Sequence, residues 1–244
     1  MPELLQSVFA TPELKEARER YALFAGLPPA EIIQEGILVE TASTFYEGQE
    51  YAVRNYLSPG IAEIDLLDRL PALMHGLGRQ GLEQLVACSP EDGVLVTRRS
   101  PGRVISALSF EEAKAMTQKQ FKALALTIDF ATRANIEIEV EPDNILFDPI
   151  EGFSLVDYSL TTDMPSTGRT IKGIGRALLW LGRGLPTFGS IESIRIREQL
   201  IPMAAQSGVS ILSQSDGRAL IEAAEIQKAL CWSSVKNLDA ELRL

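Results

Sequence analysis

The sequence predicts an α+β protein in which a small sheet carries one helix and a mainly helical segment follows. Three observations predict it. Runs rich in β-branched and aromatic residues, the composition of strands, cluster between Gly36 and Arg99. A single stretch with helical spacing, "SPGIAEIDLLDRLPALMHG", divides those runs into pairs. After Ser100 helical patterns dominate, broken by one polar hairpin at residues 139–160.

In order along the chain, residues 1–34 read as a helical extension. In "TPELKEARERYALFAGLPP" a threonine cap precedes Pro12, whose fixed φ suits a first turn, and Gly26 with two prolines ends the helix. Residues 35–99 carry the sheet: "GILVETASTFYEG" and "QEYAVRNYL" read as strands turning near Glu47-Gly48. The next helix opens with Ser58-Pro59 and places Ile61, Ile64, Leu67 and Leu70 at helical spacing before Pro71 disturbs it. "LEQLVACS" and "DGVLVTRRS" form the second pair of strands, joined by the turn-forming "PEDG". "SPGR" at 100–103 breaks the pattern, and residues 100–244 form the helical segment. There "FEEAKAMTQKQFKALALTIDFATRAN" is expected as one long amphipathic helix, with Phe121, Leu124, Ala125 and Ile128 along one face and its end at Asn135. Three further helices are expected in "TIKGIGRALLWLGRGL", "SIESIRIREQLIPMAAQSG" and "DGRALIEAAEIQKALCWSSV".

Composition narrows the function. A chain of 244 residues, 45% hydrophobic and 23% charged, can bury a sizeable core, and disorder is not expected. No window approaches the roughly 18 apolar residues of a membrane span. "MPELLQSVFATPELKEARER" turns charged too early for a secretory signal, so a cytoplasmic protein with no membrane partner is expected. The net charge of −10 opposes general affinity for nucleic acid, and the short basic clusters "RRSPGR" and "GRTIKGIGR" read as solvated surface. Cys88 and Cys231 lack the paired spacing of a zinc site. His75, the only histidine, lies where a helix C-terminus runs into glycine, a simpler reading than membership of a Ser-His or Cys-His pair.

The chemistry concentrates in "EVEPDNILFDPIEGFSLVDYSL", residues 139–160. A hairpin of "NILFD", the turn "PIEG" and "FSLVD" brings Asn144 and Asp157 to the same end of adjacent strands. An amide oxygen and a carboxylate can then meet one hard cation, and Mg²⁺ suits so sparse a pair because it completes its shell with water and phosphate. Turn chemistry also accounts for Pro142-Asp143-Asn144, with Asp157 capping a strand end.

In "EIEVEPDNILFD" and "LVDYSL", and in the order of its elements from residue 35 to 160, the chain resembles the protein-kinase-like superfamily, including its aminoglycoside and choline kinase branch. The resemblance implies a two-lobed fold, an N-lobe at 35–99 with one helix on its sheet and a mainly helical C-lobe at 100–244. It also implies ATP and Mg²⁺ as ligands. The family's catalytic loop is a His-Arg-Asp-x-x-x-x-Asn run, followed by the metal aspartate of an Asp-Phe-Gly-type motif. The likeness puts Glu139 at the catalytic aspartate position, Asn144 five residues later, and Asp157 in the metal-binding role. "YAVRNY" is similar to the Val-Ala-Ile-Lys strand, with Arg54 in place of the phosphate-binding lysine and Glu63 on the next helix as its partner. "DGVLVTRRSPGR" resembles the strand and hinge where the backbone from Thr97 to Arg99 would meet an adenine edge.

The departures from an active kinase are equally specific. No glycine lies between Gly36 and Gly48, where a phosphate loop needs close backbone approach. Arg54 presents a wide planar fork where a compact ammonium belongs. Glu139 is one methylene longer than the family's base, and a displacement of ~1 Å costs about 100-fold in rate. Glu137 and Glu141 make the loop acidic, so a triphosphate needs divalent ions there first. Together they imply a pseudokinase, a kinase-like binding or regulatory module that keeps Mg²⁺ and ATP and has a protein partner. An active phosphotransferase using Glu139 as base, and an unrelated α+β interaction domain, are the alternatives.

Overall fold

The computed structural model describes residues 11–35, 38–138, 143–160 and 190–209, together with 218, 221, 222 and 224–226. The chain divides into one unit of Met1–Ser100 with Tyr158–Thr162 and a second of Pro101–Asp157 with Asp163–Leu244. It is an α+β structure.

In the first unit, helix α1 (Pro12–Arg20) starts after Thr11 with Pro12 in its first turn, and a 3₁₀ turn (Tyr21–Leu23) continues it. Strands β1 (Glu31–Glu35), β2 (Val39–Tyr46) and β3 (Gln49–Tyr56) precede α2 (Pro59–His75), and β4 (Leu85–Ser89) and β5 (Val94–Arg98) follow it. They form one antiparallel sheet in the order β1-β2-β3-β5-β4. The β2–β3 hairpin closes through Glu47 at φ 50° and Gly48 at φ 79°. Two positive φ values in a two-residue loop match the right-handed twist of the flanking strands. The sheet begins earlier than the sequence suggests, because Glu31–Glu35 lies largely within the stretch expected to be helical and instead pairs with β2. "EIIQE" is too short to show a period, and only its pairing makes it a strand.

Strand alternation assigns the two faces of the sheet. Tyr51 and Val53 pack in one apolar cluster with Phe24, Ala87, Val94 and Val96. The Phe24 ring meets Tyr51 edge-on at 4.9 Å, and α1 packs on β4, so the N-terminal helix covers this face. Ala52, Arg54 and Tyr56 lie on the opposite face, where α2 packs against β3 and β4 and buries Leu66, Leu70 and Leu73. Helix α2 runs through Pro71 to His75. The side chains of Ile61, Ile64 and Leu67 are outside the described residues; Leu70, the last of that expected set, is buried.

In the second unit β6 (Arg103–Val104) leads to α3 (Phe110–Lys114), α4 (Gln118–Arg133) and β7 (Ile136–Ile138). The single long helix expected from the sequence is therefore two helices. A capping box of Thr117 with Gln120 marks the division by opening α4, and a second, Ser109 with Glu112, opens α3 where the expected helix begins. Helix α4 ends at Asn135 in the left-handed region, φ 57°. Phe121, Leu124, Ala125 and Ile128 are buried as their spacing requires. Strands β8 (Ile145–Asp148) and β9 (Gly152–Leu155) join β6 in an antiparallel sheet of order β6-β8-β9. Phe153 of β9 stacks obliquely on Phe121 and Phe147 at 5.1 and 4.9 Å. Past Asp157 the chain re-enters the first unit as β10 (Tyr158–Leu160), which packs on α2. Helix α5 (Ser190–Val209) returns to the second unit and packs on α4. The helices expected at 170–185 and, for the most part, 216–235 lie outside the described residues.

Candidate functional site

The β8–β9 hairpin is built in the register its sequence suggests: Ile145 pairs with Leu155 and Asp148 with Gly152. At the closed end Asp148 Oδ1 accepts hydrogen bonds from the N–H groups of Ile150 and Glu151, both at 2.8 Å, so this aspartate is turn chemistry. At the open end the Val156 N–H donates to the Asn144 carbonyl at 3.0 Å. That bond extends the ladder by one step and brings Asn144 and Asp157 off the same end of neighbouring strands. Among the described residues Asp157 is one of three non-glycine residues at positive φ, at 61°. Aspartate tolerates this region better than most residues, yet it remains sparsely populated and is held only where surrounding structure determines it. Asp143 accepts from the Ser106 hydroxyl at 2.6 Å, which ties the residue before Asn144 to the 3₁₀ turn Ile105–Ala107. Glu139 lies outside the described residues.

Asn144 and Asp157 are both half-buried. An amide and a carboxylate are hard oxygen donors of the kind Mg²⁺ takes. Among the described residues no three His, Cys, Asp or Glu side chains gather as an all-protein metal nest.

The remaining candidates belong to the sheet unit. Arg54 stands opposite Thr41 on β2 and Leu95 on β5, on the α2 face with Ala52 and Tyr56. Thr97, almost fully buried, pairs with Ala52 and Leu85, and its hydroxyl donates to Glu83 Oε1 at 2.7 Å. The Arg98 N–H donates to the Gln84 carbonyl at 2.9 Å and the Arg99 N–H to the Glu50 carbonyl at 3.3 Å. The Arg99 guanidinium lies 4.0 Å from the Glu50 carboxylate. The main-chain N–H groups at 98 and 99 thus serve the unit itself. Glu63 lies on α2, with its side chain outside the described residues.

Sequence reasoning missed the carboxylate that α2 presents to β3. Asp65 Oδ2 accepts from the Tyr56 hydroxyl and, at 3.1 Å, from Nε of the buried Arg69. Burial, followed by the bond to Asp65, raises the Tyr56 pKa, and Arg69 and Arg54 oppose the rise. Arg54 thus acts electrostatically on this cluster. Glu83 was missed as well: besides holding Thr97, its carbonyl accepts from the Tyr158 hydroxyl at 2.6 Å. The available signal for Tyr158 was a bulky aromatic directly after Asp157; Asp65 and Glu83 had none, because their partners are set by register and helix rotation. No protein-family model matches the chain, and no curated protein sequence matches it.

Proposed function

We propose that the chain is a degenerate protein-kinase-like protein of the aminoglycoside/choline kinase-like branch, a pseudokinase that binds Mg²⁺ and ATP and works as a binding or regulatory module. The observation that carries it is the open end of the β8–β9 hairpin. There Asn144 and Asp157 leave adjacent strands side by side, with Asp157 in a left-handed conformation that a simple strand end does not require. The succession β2, β3, α2, β4, β5 supports it, with Ala52 and Arg54 on the face that α2 covers. In this proposal the two lobes are residues 35–99 and 100–244. Asn144 and Asp157 hold the metal, Arg54 serves the nucleotide together with Thr97–Arg99 through groups other than the committed 98 and 99 N–H, and Glu63 is the acidic residue of the lobe's helix.

Efficient phosphoryl transfer is not part of the proposal. β2 runs as an ordinary strand from Val39 to Tyr46 without a glycine, paired with β3 throughout and with β1 from Glu40 to Ser43, where a phosphate loop needs close backbone approach. Arg54 replaces the compact ammonium, and Glu139 replaces the shorter aspartate. The protein is proposed to be cytoplasmic and to act through a protein partner; among the described residues no helix is long and apolar enough to cross a membrane.

Thermal unfolding with Mg²⁺ and ATP tests the proposal. A ligand at 100 times its dissociation constant stabilises by ~2.7 kcal/mol, which for a chain of this size raises Tm by roughly 5–10 °C. The rise is expected to require the metal and to vanish in Asp157→Ala. No shift at millimolar ATP would remove nucleotide binding and leave an α+β interaction domain.

A further inference from the structure

The basic run "RRSPGR" ends in the second unit at Arg103, and three residues later stands Ser106. Arg103 and Val104 form β6, the edge strand of its sheet, so among the described residues the outer side of their main chain pairs with no strand. Ile105 and Leu108, 0% and 2% exposed, anchor the 3₁₀ turn that follows, and Ser106 and Ala107 are left exposed between them. The Arg103 guanidinium comes no closer than 3.5 Å to Glu112 Oε2, an oxygen that already accepts from the Ser109 N–H at 2.7 Å and the Ser109 hydroxyl at 2.6 Å. An exposed serine three residues after an exposed arginine on an open strand edge is a charge pattern that an arginine-directed serine kinase reads. Ser109 does not share it: its hydroxyl is committed to the α3 cap, and Ser106, not a cation, lies three residues before it. The Ser106 hydroxyl donates to Asp143 Oδ1 at 2.6 Å. Asp143 directly precedes Asn144, whose carbonyl accepts from the Val156 N–H at 3.0 Å. A phosphoserine above its second pKa of about 6 is a dianion with no proton to give a carboxylate, so the attraction between the two side chains would become a repulsion.

We infer that Ser106 is a phosphorylation site for an arginine-directed serine kinase, and that its phosphate drives off Asp143 and loosens the open end of the β8–β9 hairpin. In the transfer the Ser106 hydroxyl oxygen attacks the γ-phosphorus of ATP on that kinase. The bond from this phosphorus to the β,γ-bridging oxygen breaks, ADP leaves, and the hydroxyl proton passes to the kinase's base. The site does not depend on the Mg²⁺-ATP proposal above, since every group that forms it lies within Pro101–Asp157.

The folded full chain is incubated with an arginine-directed serine kinase, Mg²⁺ and ATP, and the modified residue is located by mass spectrometry. Ser106 is expected to be modified, and Arg103→Ala, which removes a charged contact to the kinase, to slow the transfer about tenfold or more. Absence of phosphate on Ser106 in the folded chain, or transfer that is as fast in Arg103→Ala, overturns the inference. The consequence is read from hydrogen exchange at the Val156 amide, expected to quicken about tenfold in the phosphorylated chain while the amides of α4 keep their rates. Asp143→Asn replaces the repelled carboxylate by an amide that can donate to the phosphate. In that variant phosphorylation should leave Val156 at the unmodified rate. An unchanged Val156 rate in the phosphorylated wild type, a rise shared with α4, or a rise that persists in Asp143→Asn overturns the inference as well.

Discussion

At the residue scale, backbone conformation separates positions that tolerate change from those that do not. Gly102 has φ 93°, and a Cβ there would lie 2.3 Å from the Phe147 carbonyl oxygen, so β6 can approach β8 only without a side chain. Gly152, in the same unit, has a similar φ of 89° but would meet only the Gln120 side chain, at 3.3 Å, and no backbone. Gly102→Ala is therefore expected to cost about 2–4 kcal/mol, and Gly152→Ala about 1–2 kcal/mol, mainly the left-handed penalty. Urea unfolding of both variants reads the difference, and equal midpoints would mean that the sheet yields to the clash. Neither cost was legible in the sequence, where both positions are glycines beside turn residues. Asp157 was equally opaque, because aspartate suits turns, strand ends and metal sites alike and its residue type does not announce a φ of 61°.

At the element scale, the strands and helices that depend on local pattern were legible, and those that depend on a partner or a cap were not. β2 to β5 and α2 follow their composition and spacing. β1 does not, since its five residues become a strand only by pairing with β2. The break between α3 and α4 is written in the sequence as Thr117-Gln118-Lys119-Gln120, but amphipathic periodicity without glycine or proline masks it. Thr117 Oγ1 accepts from the Gln120 N–H at 3.4 Å while Gln120 Oε1 accepts from the Thr117 N–H at 2.8 Å. Thr117→Ala should destabilise the second unit by about 1 kcal/mol and Thr117→Ser by only a few tenths. Equal stability of all three in urea would show that burial of Phe121 and Leu124, and not the cap, sets where α4 begins.

At the scale of the whole molecule, the α+β class was legible because it needs only element order, whereas the pairs Tyr56–Asp65, Thr97–Glu83 and Tyr158–Glu83 needed the folded chain. Those buried groups also govern the response to pH. Burial pushes the Cys88 thiol up to about 12, and it raises the phenols of Tyr56 and Tyr158 above their ordinary value. All three stay protonated in the folded chain at a pH where the unfolded chain ionises them, the thiol from about 8.5 and the phenols from about 10. Between the unfolded and folded pKa values the unfolded state therefore binds fewer protons, and the free energy of unfolding falls as pH rises. Their contribution is complete below about pH 8 and is lost progressively above it. The urea midpoint should be lower at pH 10.5 than at pH 8, and Cys88→Ala should remove the earliest part of the decline. Iodoacetamide at pH 8.5 should leave Cys88 unmodified in the native protein and label it in urea, since only the thiolate reacts. A midpoint unchanged between the two pH values, or rapid native labelling of Cys88, would mean that the β4–β5 side of the sheet opens to solvent and that its buried groups titrate like exposed ones.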